Sequence, residues 1–322
     1  MKSYKYLGLV ALAMMAVSPV MAQDVHVGTG GVKGNYYDMM NDIKSYCESD
    51  VPDTTYVVHE TEGSTKNLLG MQNKEFSAGI IQEDVLNYYA KRDPGNVNDN
   101  RIKVISGLHE EAVHLLIPKG YKPNSASSSG WKNWFSSDDD KPQKLDLNLL
   151  KGQTIGSWGG SIVSAEAMSY FFGLNLNVVE VPAADRANPK VPLLLVGGHP
   201  YQPVSDYLAT GKWDLISLDY EAIANIAPFY NKANVNYSIG GKVKSTPTVS
   251  VRALLVGMSF RKESRNKPMS QLAACITGNV ADLADDPETN PNWRSVYDFM
   301  KNNGSTKWAM FTLDEETIKK YE

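Results

Sequence analysis

Cysteine and histidine are scarce in this chain: 322 residues carry only Cys47, Cys275 and five histidines. No Cys and His cluster has metal-ligand spacing, so a zinc module or iron–sulfur protein is excluded as a reading. His109 and His114, the nearest approach, stand five apart where a zinc-protease helix needs four, and on a strand that separation aims them at opposite faces. The chain also lacks a nucleophile with its base. Ser161, in Gly159-Gly160-Ser161-Ile162, misses the second glycine of a nucleophile elbow. A basic surplus is absent too: 32 Lys and Arg stand against 36 Asp and Glu, a formal charge of −4, which argues against nucleic acid or anionic lipid as the main partner. No repeat of 20 to 50 residues is visible. The one long apolar run, Tyr6 to Val17, falls well short of the ~20 residues a bilayer requires.

That run follows Lys2 and Lys5 and precedes Ser18-Pro19-Val20-Met21-Ala22, whose small residues occupy the two positions a signal peptidase reads. The sequence therefore predicts a leader over residues 1–22, cut after Ala22. Gln23, not cysteine, follows the cut, so the expected product is free rather than lipid-anchored, and more acidic by the two lysines lost. An oxidising destination permits one bridge between Cys47 and Cys275. Burial as two separate thiols is the alternative, because sequence does not fix the distance between them.

Period-two apolar runs alternate with helical ones, the pattern of an α/β protein with largely parallel sheets. Strands are expected at 56–59, 78–81, 102–105, 113–117, 154–157, 193–196 and 215–218. Tyr36, Met40, Ile43 and Cys47 recur at helical spacing and mark a buried face. Leu68, Leu69 and Met71 do so after Ser64, read as an N-cap, and 164–172 repeats the scheme. Helices are also expected near 269–283 and 293–300. Residues 119–144, rich in Ser, Asp, Lys and Pro, read as a surface loop carrying Trp131, Trp134 and Phe135. Apolar runs at 113–117 and 248–256 are the expected connections between two lobes, 24–118 with 248–322 and 119–247.

The stretch Asp24-Val-His-Val-Gly-Thr-Gly-Gly-Val-Lys-Gly-Asn-Tyr-Tyr reads as a strand, a glycine-rich turn and a helix start, which leaves backbone N–H groups facing a cleft suited to an anion. It is not a dinucleotide fingerprint, since Lys33 stands where the third glycine belongs. Four further polar turns close predicted strands: Glu62 to Thr65, Gln82 to Asp84, Ser157 to Ser164, and Gly197 to Pro200. In open α/β sheets ligands bind beyond such strand ends.

Taken in order, Gly-Thr-Gly-Gly with Tyr36-Tyr37, Gly63-Ser64-Thr65-Lys66-Asn67-Leu68, Gly79-Ile80-Ile81-Gln82-Glu83-Asp84-Val85, Val113 to Ile117, Leu150 to Gln153, Gly197 to Pro200 and Thr246 to Val256 resemble the TAXI family of solute receptors for TRAP transporters. The resemblance implies a type II periplasmic-binding-protein-like fold, two hinged lobes and a central cleft. It implies a non-enzymatic periplasmic receptor that needs no cofactor. Its ligand is a small anionic or zwitterionic solute, glutamate-like amino acids being the best-known class, and its partners are the membrane subunits of a TRAP carrier. The sequence departs from the family at the ligand: Val32, Lys33 and Asn35 replace Thr, Gly and Thr, and Ser161 to Ser164 replace a second glycine turn. The expected ligand contacts are the backbone at Gly31 with Lys33, Asn35, Tyr36, Ser64 and Gln82 from one lobe, and Ser157, Trp158, Ser161, Ser164 and His199 from the other. An alternative keeps the fold but makes the chain an envelope sensor or protein-interaction module using the 131–135 aromatics.

Overall fold

A computed structural model describes residues 23–51, 54–123 and 144–321. The leader and the Trp131, Trp134 and Phe135 turn lie outside the described residues. The chain opens with β1 (Gln23–Gly28), α1 (Asn35–Cys47), β2 (Thr54–His59), α2 (Ser64–Gln72), β3 (Ala78–Gln82) and α3 (Glu83–Arg92). β4 (Ile102–Pro118) then runs through both stretches expected as separate strands, 102–105 and 113–117. The residues between them, Ser106 to Ala112, include buried His109 and Glu111, whose polarity hid the strand from a pattern reading. Next come β5 (Lys144–Leu145), β6 (Thr154–Ser157), α4 (Ser161–Phe171), β7 (Asn177–Glu180), β8 (Leu193–Gly197), α5 (Gln202–Ala209), β9 (Trp213–Leu218) and α6 (Tyr220–Ala224). The chain continues through β10 (Tyr230–Ile239), β11 (Lys242–Met258), α7 (Lys267–Asp285), α8 (Trp293–Lys301) and α9 (Glu315–Ile318).

The strands form one sheet in the order β2-β1-β3-β11-β4-β8-β6-β7, with β10 beside β11, β9 beside β4 and β5 beside β9. Two halves of this sheet share one plan. In the first, parallel β2, β1 and β3 meet antiparallel β11, with β4 beyond it. In the second, parallel β7, β6 and β8 meet antiparallel β4, with β9 beyond it. Each half thus receives its antiparallel strand from the other, so the chain crosses twice through β4 and β11. The fold is α/β and type II periplasmic-binding-protein-like, although these inserted strands and the β10–β11 hairpin make the sheet mixed where a largely parallel one was expected.

Both faces of each half are covered. On β4, Val113, Leu115 and Ile117 face one apolar cluster and Ala112 and Leu116 another, as alternation along a strand requires. In the first half, Met39, Met40, Ile43 and Cys47 of α1 pack with α7 and α8 on one face, while Leu68, Met71, Val85 and Leu86 fill the other. Leu69, expected on the buried face of α2, is instead 41 % exposed. Cys47 and Cys275 join α1 to α7 as a disulfide with Cα atoms 5.8 Å apart, so the bridged alternative holds.

Candidate functional site

Where β1 ends, the glycine-rich turn is pinned from below. Asn67, fully buried, donates to the carbonyls of Thr29 and Ile80 at 2.6 and 2.7 Å, and Thr61 Oγ1 donates to Thr29 O at 2.8 Å. A Cβ on Gly28 would lie 2.6 Å from Asn67 Oδ1 and 2.7 Å from the Phe76 ring, so this glycine is required by close approach rather than by its torsion angles. The turn then closes on itself through Gly34 N to Gly31 O at 2.8 Å and delivers the chain into α1.

A cavity of about 800 Å³ opens above this turn, between the two halves of the sheet. Three helices begin at its wall, α1 at Asn35, α2 at Ser64 and α4 at Ser161, and none has a side-chain cap. The first N–H groups of a helix have no partner within it and carry its partial positive end, so uncapped ends that open on one space favour a negative group there. One amide of the turn is already taken: Val32 N donates to Glu60 Oε1 at 3.3 Å.

Gly31, Lys33, Asn35, Tyr36, Ser64, Gln82, Trp158, Ser161 and His199 all line the cavity. Their polar atoms are engaged in ways the sequence did not reveal. Tyr36 donates its hydroxyl to Glu111 Oε2 at 2.7 Å, so the expected free donor is committed, and burial beside that carboxylate pushes the phenol pKa well up. Asn35 Oδ1 accepts from Asn290 Nδ2 at 3.2 Å. Ser64 is not the N-cap; Gly63 is, with φ at 96°, and the Ser64 hydroxyl accepts from Gln82 N at 3.0 Å. Ser161 Oγ both donates to Val196 O at 3.2 Å and accepts from Val196 N at 2.9 Å. His199 Nε2 accepts from Asn236 N at 3.1 Å, and burial lowers the ring's pKa, so it is predominantly neutral near pH 7. Lys33 is exposed and makes no ion pair among the described residues.

Two expected contacts lie off the wall. Ser157 is fully buried and its hydroxyl donates to Leu194 O at 2.8 Å, joining β6 to β8. Ser164 sits one helical turn into α4 and donates to Gln82 Oε1 at 3.3 Å, a bond between the two halves of the sheet. Asp84, also fully buried, makes a second such link: Tyr230 donates to its Oδ2 at 3.2 Å, and desolvation raises its pKa to about 6.

Sequence reading missed Glu111, Thr61, Tyr201, Pro291 and Asn292, which also line the cavity. Glu111 was passed over as part of a failed zinc motif. The acid pair Glu110-Glu111 directly before the apolar run Ala112 to Ile117 was the available signal. Pro291 and Asn292 arrive from the C-terminal segment, anchored where Asp42 of α1 accepts from Asn290 N and Trp293 Nε1, both at 2.8 Å. No local pattern announces that contact.

This fold and cleft define the class of two-lobed binding-protein architectures. No family model and no curated protein matches the chain. Similar solved structures include the alkanesulfonate-binding protein SsuA from Xanthomonas axonopodis pv. citri, bound to MOPS, at 13% identity and TM-score 0.42, with 92% of this chain and 89% of that one covered. The zinc-bound ligand-binding component of an ABC-type import system from Staphylococcus aureus matches at 9% identity and TM-score 0.42, covering 93% and 89%. The reduced OxyR regulatory domain from Pseudomonas aeruginosa matches at 13% and 0.35, covering 80% and 98%. Likeness at this level does not bear on what the cavity holds.

Proposed function

We propose that this chain is a periplasmic receptor that captures a small carboxylate or amino acid of the glutamate type and passes it to the membrane subunits of a TRAP-type carrier. Residues 24–118 with 248–322 form one jaw and 119–247 the other. The observation that carries the reading is the set of three uncapped helix N-termini, α1 and α2 from one half of the sheet and α4 from the other, opening on a single cavity. Each is worth ~0.3–1 kcal/mol to an anion, and charged hydrogen bonds add ~1.5–3 kcal/mol apiece. A micromolar affinity needs only ~8 kcal/mol net.

Closure needs a ligand that touches both jaws, because one held equally in open and shut forms shifts nothing. Gly31, Lys33, Asn35 and Tyr36 serve from one side and Trp158, Ser161 and His199 from the other. The carrier then reads the shut form. The leader prediction and the resemblance to TAXI receptors support the location and the carrier type.

The test is a thermal-shift and calorimetric panel of amino acids, dicarboxylates, sugar acids and sulfonates on the mature chain. One class is expected to bind saturably at micromolar concentration and raise the melting temperature. A folded, monomeric protein that responds to none of them removes the receptor reading.

A further inference from the structure

Glu111 is a buried cavity-lining acid that the anion-binding account does not use. It projects from β4 at the crossing between the halves and lines the cavity toward which three positive helix ends open. Its side chain retains 12 % exposure, and only Oε2 is hydrogen-bonded, by Tyr36. Oε1 accepts no hydrogen bond among the described residues: the nearest basic atom, His109 Nε2, stands 3.8 Å away, beyond bonding distance. His109 is itself fully buried, and neither ring nitrogen has a hydrogen-bond partner among the described residues. A carboxylate held in a cleft with an open acceptor oxygen is costly unless something donates to it.

The surroundings say what kind of donor. Tyr36 and Tyr201 bring aromatic rings to the cavity, as does Trp158, one face of which Arg186 covers at 4.9 Å from the ring centroid, and such rings attract cations through their negative faces. Among the described residues no arginine lines the cavity, and its one lysine, Lys33, is exposed. A ligand that placed a second carboxylate near Glu111 would meet like charge there.

We infer that Glu111 is the specificity-determining residue of this site and receives a cationic nitrogen of the ligand, while the ligand's carboxylate lies at the helix ends. The inference rests on the receptor reading and narrows it to zwitterions. A primary ammonium satisfies the open oxygen by hydrogen bonding. An alkylated ammonium of the betaine type is held by charge and by the aromatic faces. Both share the cationic nitrogen beside a carboxylate.

Calorimetry on the full mature chain with matched pairs tests it. L-Glutamate is compared with glutarate, which keeps both carboxylates and loses the nitrogen. Glycine betaine is compared with 3,3-dimethylbutyrate, its uncharged-headed isostere. In at least one pair the cationic member is expected to bind ~10-fold or more tightly, the size of one lost charged hydrogen bond. The glutamate pair reports a hydrogen-bonded ammonium, the betaine pair a ring-held one. Glu111→Gln, checked for an unchanged ligand-free melting temperature, is expected to bring the preferred pair within ~3-fold. If that variant fails to fold, the wild-type pairs decide alone.

Equal binding within both pairs overturns the assignment and leaves the receptor reading intact, as does binding confined to acids without a cationic nitrogen. A preference that survives Glu111→Gln removes Glu111 from the role. No binding by any solute of the wider panel removes the receptor reading, and this inference with it.

Discussion

Gln82 Oε1 accepts a hydrogen bond from Ser164 Oγ at 3.3 Å, although one residue ends β3 in the first half of the sheet and the other lies on α4 in the second. Gln82 also donates its backbone N–H to Ser64 and lines the cavity. The bond therefore ties the two halves of the sheet together beside the wall of the site.

Ser164→Ala removes this link and leaves the Gln82 oxygen without that donor. Loss of one buried neutral hydrogen bond costs ~1 kcal/mol, so the affinity of whichever solute binds is expected to fall ~3–10-fold with stoichiometry unchanged. Titration calorimetry on both forms measures it. An unaltered affinity means that the bond does not contribute to closure.

Two glycines of one turn are expected to behave differently. On Gly28 an added methyl meets Asn67 Oδ1 at 2.6 Å, whereas on Gly31 it approaches Glu60 Oε1 only to 3.8 Å, an ordinary van der Waals contact. Gly28→Ala should lower stability by ~1–3 kcal/mol, the usual range for overpacking. Gly31→Ala should leave the denaturation midpoint unchanged within error. Urea melts of the two variants side by side give the comparison.

The Cys47–Cys275 bridge spans a sequence separation of 228 residues. Closing a loop of that size stabilises by ~5 kcal/mol in the chain-entropy account, an upper figure. Cys47→Ser with Cys275→Ser, or reduction before melting, is expected to lower stability by ~2–5 kcal/mol. If the melt does not move on reduction, the bridge is absent in solution or the unfolded chain is already constrained.

Asp84 supplies a pH test. Its folded pKa, raised to about 6 mainly by burial, exceeds the ordinary carboxylate value of 3.8, so the folded state holds its proton more tightly than the unfolded chain. Stability contributed by that proton is present below the ordinary value and lost as pH rises through about 6. Asp84→Asn is therefore expected to raise the melting temperature at pH 7.5 and to lose that advantage near pH 4. Buried His114, lowered to about 4 by desolvation, imposes the opposite slope in acid, where it must take up a proton on unfolding. The variant and the wild type must therefore be compared at the same pH. A variant that melts lower than wild type at pH 7.5 shows that the bonds donated to the carboxylate by Tyr230 and the Val85 N–H outweigh its desolvation.

Much of the frame was legible. Strand 154–157 was read with the bounds it has, and Met40, Ile43 and Cys47 fall on the buried face of α1 as their spacing predicts. The errors have two causes: polar residues buried by partners from distant parts of the chain, and exposed polar residues that dilute the apolar pattern of a strand. His109 and Glu111 interrupted the pattern of β4, and the hairpin of β10 with β11 went unread because exposed Lys232, Asn234 and Asn236 alternate with inward Val235 and Tyr237. Ser157, Ser161 and Ser164 were alike as small hydroxyls in a polar turn. One joins two strands, one clamps β8, and one reaches the other half of the sheet.

Apolar periodicity, turn chemistry and the glycine-rich start of α1 are local, and short-range sterics and burial patterns fix them; from these the sequence alone determined an α/β chain with a polar-turned cleft. Which hydroxyls are free, whether the two cysteines meet, and that a carboxylate from β4 stands among uncapped helix ends depend on contacts between residues tens to hundreds apart. Only the tertiary structure decided those, because a side chain's chemistry is set by the partner that burial brings to it.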